Sequence, residues 1–270
     1  MRRNRRLLYK AVLALIFIGL GLSVAQTADA RRSASGGAKP NTLSPKEKKE
    51  GWKLLFDGKT TKGWRGAYLD SFPAKAWDVR DGMMIVQSFG GGEAAQGGDI
   101  VTVDEYSNFD LMVDFKLTDG ANSGIKYFVT EQLPRTPGSA IGLEYQVLDD
   151  AKHPDAKLGK DGNRTLASLY DLIPAATKMP NPIGEWNHAR IVVQGSHVEH
   201  WLNGVKVVEY ERGGKDFLER KAMSKFKDRT GFGEATQGHI LLQEHGSEVF
   251  YRNVKIRMLP SSPKTGEISK

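Results

Sequence analysis

The chain contains no cysteine. That removes disulfides, thiol nucleophiles, thiolate-held metals and a lipid-anchored cysteine, so stability has to come from a packed apolar core. Beyond the first 25 residues there is no long apolar run, and no spanning helix is expected once the N-terminal segment is set aside. There is no G-x-S-x-G elbow of a serine hydrolase. The Gly-rich stretch from Gly90 to Gly98 lacks the G-K-[S/T] ending of a phosphate loop and reads as a mobile loop. A strong excess of one charge is missing too. Residues 1–30 contribute +4 of the formal +7, and the remaining +3, spread among interspersed acids, is no footprint for nucleic acid.

The N-terminus carries a targeting pattern. Met1-Arg2-Arg3-Asn4-Arg5-Arg6 runs into the apolar segment 11–25, and Ala28-Asp29-Ala30 offers a cleavage site. The expectation is a secretory signal over 1–30, cut after Ala25 or Ala30, and export to the bacterial periplasm or cell envelope. Residues 31–43, rich in Ser, Gly and Ala at their start, read as a flexible linker, 44–260 as one domain, and 261–270 as a polar tail.

Within the domain the hydrophobic period is two. Phe109, Leu111, Val113, Phe115 and Leu117 alternate with Asp110, Met112, Asp114 and Lys116, the pattern of an antiparallel strand with one buried face. Asn203-Gly204 supplies two residues that tolerate positive φ between two such runs, a hairpin signal. Helical signals are few. Ser44-Pro45-Lys46-Glu47 is a capping box with proline at the first helical position, and 215–227 reads as a short surface helix. Together these predict an all-β fold, a jelly-roll β-sandwich.

Several strands place polar groups in phase. In the run from Gly142 to Asp150, Leu143, Tyr145 and Val147 share one face while Glu144 and Gln146 share the other. Lys126 shares its face with Asn122 and Phe128, opposite Ile125, Tyr127 and Val129. Gln243 and His245 go together, with His239 and Leu241 behind them, and Arg252 is a cation on the row Phe250, Val254, Ile256 and Met258. Each alone reads first as a solvated face, a satisfied core residue or a structural ion pair. As a set, with Trp201 and Tyr170 as aromatic platforms, they suit a sugar groove, where amides and carboxylates bind hydroxyls and rings stack on pyranose faces. Asp149, Asp150, His153 and Asp155 lie close in sequence but match no metal-ligand spacing, and neither a metal nor another cofactor is assigned.

Several ordered motifs resemble one family. They are Gly51-Trp52-Lys53-Leu54-Leu55-Phe56-Asp57-Gly58 with Gly63-Trp64, then Asn122-Ser123-Gly124-Ile125, Gly142-Leu143-Glu144-Tyr145-Gln146, Gly184-Glu185-Trp186-Asn187, and Leu242-Gln243-Glu244-His245-Gly246 with Phe250-Tyr251-Arg252-Asn253-Val254. From Gly51 to Leu259 the chain is similar to the 3-keto-glycoside lyase/hydratase domains, also called 3-keto-disaccharide hydrolases. The resemblance implies a concanavalin A-like sandwich, a glycoside or small oligosaccharide as substrate, and proton abstraction at carbon 2 beside a ketone, followed by loss of the carbon-1 substituent and possible hydration of the glucal. His245 or Glu144 is then the expected base and Lys126 the expected enolate stabiliser. Gln146, Gln243, Arg252, Tyr170, Trp201, Asn122 and Asp149 are expected to bind the sugar. Two rivals stay open: a retaining glycosidase that pairs Glu144 with Asp149, which needs carboxylates about 5–5.5 Å apart, and a non-catalytic carbohydrate-binding module.

Overall fold

A computed structural model describes residues 39–90, 92–133 and 140–260. The expected signal segment, most of the linker and the polar tail lie outside the described residues. Two antiparallel sheets form a β-sandwich, as the period-two pattern predicts. One sheet has β11 (Val205–Glu211), β10 (His197–Leu202), β9 (Trp186–Gln194), β6 (Phe109–Leu117), β13 (Val249–Met258), β4 (Met83–Val86) and β3 (Trp77–Arg80) in that order, with β1 (Lys53–Leu54) also on β13. The second has β2 (Trp64–Gly66), β5 (Ile100–Thr102), β12 (His239–Leu242), β7 (Asn122–Val129) and β8 (Leu143–Leu148). Among the described residues no helix is long and apolar enough to cross a membrane.

The inner faces make one core from Phe109, Leu111, Val113 and Phe115 on one side and Ile125, Tyr127, Tyr145 and Val147 on the other. One polar chain crosses it. Tyr210 meets the Tyr127 hydroxyl at 2.8 Å, Tyr127 meets His200 Nε2 at 2.8 Å, and His200 Nδ1 lies 3.1 Å from the Ala167 carbonyl. A carbonyl only accepts, so the proton sits on Nδ1. Burial holds the imidazole down at about 4, hence neutral.

The hairpin turn forms as expected, with Asn203 at φ 50° and Gly204 at φ 81° between β10 and β11. Helix α1 (Pro45–Lys49) has the capping box complete. Helix α2 (Lys215–Met223) is shorter than the expected 215–227. Ser224 stops it by turning extended, and both its amide and its hydroxyl donate to the Lys221 carbonyl.

Two β-bulges correct the predicted faces. In β7 the register against β12 gains a residue where Phe128 takes φ 53°. Phe128 therefore turns inward onto Phe109 and Tyr127, while Val129 moves outward to Leu241 and Val101. In β13 the register slips between Arg252 and Lys255, with Asn253 at φ 51°. Val249, Tyr251, Val254 and Ile256 are the buried residues, so the uniform row containing Arg252 does not exist.

Strands β7 and β8 are buried along their whole length on both faces. The polar face of the five-stranded sheet is thus covered rather than given to water. Glu93, residues 140–142, Asp155 with Tyr170, and Lys225, Phe226 and Arg229 contribute to that cover.

Candidate active site

Under this cover lies a cavity of about 280 Å³, near the lower end of the ~300–1,000 Å³ usual for small-molecule sites. Its floor comes from five adjacent positions, on β7, on β8 and just past β12. Lys126 on β7 stands directly across from Glu144 on β8, Gly124 across from Gln146, and Gln243 follows β12 with its amide N–H on the Gly124 carbonyl at 3.0 Å. Lys126, Glu144, Gln146, Gln243, Asn122, His245 and Tyr170 all line the cavity. Asn122, Lys126, Glu144 and Gln146 come together because alternate positions of paired strands point to one side, Gln243 joins them just past the end of β12, and His245 and Tyr170 reach the cavity from segments outside the strands.

Lys126 is almost fully buried, and its ammonium lies 3.1 Å from Glu93, 3.5 Å from Asp99 and 3.2 Å from the Ala140 carbonyl. Burial alone would depress its pKa, but Asp99, Glu144 and Glu93 raise it above the ordinary lysine value. It is a permanent cation within a ring of acids. Glu144 shows the converse. Burial lifts its carboxyl to about 7, helped by Glu93 and Asp155 and opposed by Lys126 and Lys225. Asp99, also lifted by burial to about 7, accepts the Glu244 amide at 2.9 Å on one oxygen and turns the other toward Lys126.

The Glu144 carboxylate lies over Gly124. A methyl group there would overlap Oε1, so this position needs glycine for space rather than for backbone freedom. Gln243 donates to Glu93 at 2.8 Å, and Gln146 donates to Asn122 at 3.4 Å. Among the described residues the side-chain oxygens of both glutamines are buried without a donor. Two bare acceptors at a cavity wall are what hydroxyl donors of a sugar would satisfy.

The upper wall was not expected. Asp155 and Arg164, from the long loop before Tyr170, pair at 3.1 Å, and the Tyr170 hydroxyl donates to Asp155 at 2.7 Å. Lys225, Phe226 and Arg229 follow the end of α2 and line the cavity too, with Lys225 over the Tyr170 ring. His245 stands beside His153, edge to face with centroids 6.0 Å apart. Glu93 enters from the Gly-rich loop, which Glu244 tethers by accepting Gln96 N–H on its side chain and Ala94 N–H on its carbonyl. An acid inside a Gly-rich run, or a lysine just past a helix, has no periodic signal that would mark it.

Three expected ligands are elsewhere. Arg252 lies on the outer face of the other sheet, stacked 3.9 Å over Trp186 and 3.5 Å from Asp114. Trp201 faces the same outer side, where its indole donates to Glu199 at 2.8 Å; the inward residues of β10 are Val198, His200 and Leu202. Asp149 is buried outside the cavity lining, with one oxygen on Gly120 N–H at 2.8 Å and the other on Ala151 N–H at 3.0 Å. It caps two turns, so the Glu144–Asp149 pair of a retaining glycosidase is not assembled. Asp150 likewise goes to Lys178, which separates the three acids and the histidine of that stretch.

Among the described residues, the side chains that converge closely enough for a metal ion are His197, Glu199 and Glu209 on the outer face of the larger sheet. The Lys206 ammonium already sits between those two glutamates, at 3.2 and 2.7 Å.

With this geometry in view, residues 51–257 match the 3-keto-alpha-glucoside-1,2-lyase-like domain. The chain is 40% identical over 230 residues to a 3-keto-disaccharide hydrolase of Bacteroides thetaiotaomicron, covering 78% of this chain and 79% of that one. A solved structure from Parabacteroides distasonis, provisionally described as a glycosyl hydrolase, is 33% identical with a TM-score of 0.70, over 82% of this chain and 100% of its own. A second from the same organism, with the same description, is 30% identical with a TM-score of 0.57, over 77% and 99%.

Proposed function

The chain belongs to the 3-keto-alpha-glucoside-1,2-lyase-like family of carbohydrate-active enzymes, and on that premise we propose that it cleaves 3-keto-glycosides, disaccharides among them, by elimination. A ketone at carbon 3 acidifies the hydrogen on carbon 2. Removing that proton forms an enolate, whose collapse expels the carbon-1 substituent as an alcohol and leaves a 2-hydroxy-3-ketoglucal that water can then hydrate.

The observation that carries this reading is Glu144, a buried carboxylate facing the cavity, with no side-chain donor among the described residues and a pKa of about 7. A base so placed is available at neutral pH and still strong enough to take a carbon-bound proton. Lys126, fixed beside it, supplies the positive potential for the enolate oxygen, while Gln146, Gln243 and Asn122 hold hydroxyls. His245 lines the same cavity and is the other candidate base.

The test is incubation with 3-keto-trehalose and with trehalose, with and without chelator, following 3-ketoglucose and deuterium exchange at carbon 2. Release from the keto sugar alone is expected, with Glu144→Gln about 10³-fold slower, within the ~10²–10⁴ range of general base catalysis. Equal activity on unoxidised trehalose would refute elimination, and a Glu144→Gln variant of wild-type rate with an inactive His245→Gln would move the base to His245. We also propose that the basic and apolar N-terminus directs export to the bacterial envelope; recovery of a full-length cytoplasmic protein would contradict that.

A further inference from the structure

Elimination needs a second proton transfer. The departing carbon-1 oxygen of an alkyl glycoside leaves as an alkoxide unless something protonates it, and neither Glu144 nor Lys126 is suited to that. Glu144 is receiving a proton. Lys126 is enclosed by Glu93, Asp99 and Glu144, which hold its proton in place. The Tyr170 hydroxyl already donates to Asp155, and a guanidinium such as that of Arg229 does not release its proton.

Lys225 differs from each of these. It follows the stop at Ser224, and its backbone N–H donates to Asp171 at 2.7 Å, which fixes where its side chain starts. Its ammonium stands 4.2 Å from the centroid of Tyr170 and 5.2 Å from that of Phe226. Among the described residues no carboxylate comes within ion-pair distance of it. It lines the same cavity as Glu144 and senses that carboxylate electrostatically. Building on the elimination proposed above, we infer that Lys225 is the acid that gives its proton to the leaving carbon-1 oxygen.

Its surroundings suit a proton donor. Desolvation pulls the ammonium below the ordinary lysine value, with Lys126 and Arg164 acting in the same direction and Glu144 and Glu93 opposing them. The aromatic faces steady the cation without taking its proton. In the step itself, the carbon 2–hydrogen bond breaks and its proton passes to Glu144. The electron pair forms the carbon 1–carbon 2 double bond, the carbon 1–oxygen bond breaks, and the oxygen leaves with the proton from Lys225 Nζ. Solvent then takes the proton from Glu144 and returns one to Lys225, so charge and atoms balance without any co-reactant.

A donor to the leaving group matters only when that group leaves badly, and this separates the role from simple positioning. We would measure kcat/KM and carbon-2 deuterium exchange for methyl and 4-nitrophenyl 3-keto-glucosides with wild type, Lys225→Gln, Lys225→Arg and His245→Gln. Both Lys225 variants should lose about 10²-fold on the methyl glycoside and less than about threefold on the nitrophenyl one, with exchange retained. Arginine keeps the charge but not the transferable proton, so its matching loss rules out a purely electrostatic role. Equal losses on both aglycones, or a selective loss in His245→Gln instead, would overturn the assignment of Lys225. Wild type that neither exchanges at carbon 2 nor releases either aglycone would overturn the elimination reading itself, and this assignment with it.

Discussion

Both sheets carry charged side chains on their outer faces, but the two faces treat charge in opposite ways. On the larger sheet, Asp110 is gripped by Arg190 at 2.7 Å and Arg257 at 2.8 Å, and Asp114 by His188 at 2.6 Å and Asn253 at 2.6 Å. Each acid there meets its own donors, with the partner side chains reaching solvent. On the smaller sheet one buried ammonium is shared by three acids, two glutamine oxygens have no donor among the described residues, and two carboxyls stand at about 7. The first arrangement is a structural surface in which both acids are paired. The second keeps interactions in reserve for something that is to bind, and displaced pKa values with unpaired polar atoms in a cavity mark chemistry rather than support.

The comparison predicts unequal costs for removing a cation. Lys126→Met leaves buried acids uncompensated and should cost about 3–5 kcal/mol in unfolding free energy, whereas Arg190→Met, whose own side chain reaches solvent and whose buried acid Asp110 keeps Arg257, should cost about 1 kcal/mol. Denaturant melts at pH 8 check this, and equal costs would erase the distinction between the faces. Next in size is Gly124→Ala. Its methyl group displaces the Glu144 carboxylate, so about a 10²-fold loss in kcat/KM is expected, as for a misplaced catalytic group, with far-ultraviolet circular dichroism unchanged. Wild-type activity in Gly124→Ala would mean that Glu144 has no fixed place. The smallest effect concerns pH. A carboxylate base works when ionised, so kcat/KM should rise with pH through about 7, the value at which Glu144 stands. Glu93 helps to hold Glu144 up and competes for Lys126, so in Glu93→Gln that limb should move to lower pH by a fraction of a unit. A limb unmoved, or moved upward, would show that Glu93 does not act on the base.

The floor of the site was legible because strands are periodic. Once Glu144 and Gln146 share a face, pairing brings Lys126, Asn122 and Gln243 beside them. Arg252 failed because its strand lies in the other sheet, which the periodicity of one strand does not tell; the extra residue at Asn253 then reverses every side chain beyond it, and an Asn-Val pair in a strand carries no strong sign of a bulge. Phe128 and Val129 exchanged faces in the same way. Trp201 lay in phase with Glu199 rather than with the inward His200, so its alternation argued for the outer face all along. Asp149 looked catalytic by spacing and proved to be a cap, since two turns offered it backbone N–H groups that only the folded chain brings near.

The class of the molecule, its two-faced strands, the family to which it belongs and most of the cavity floor can be read from the chain alone, because these depend on neighbours one or two residues apart and on ordered motifs. What covers that floor is settled only by the packing of distant segments. Glu93, Asp155 and Lys225 come from a Gly-rich loop, an extended loop and the end of a helix, segments without periodicity. Their role follows from burial, which turns one shared face of a sheet into a closed site where a carboxyl stands near neutrality and, among the described residues, a lysine is left without an acid.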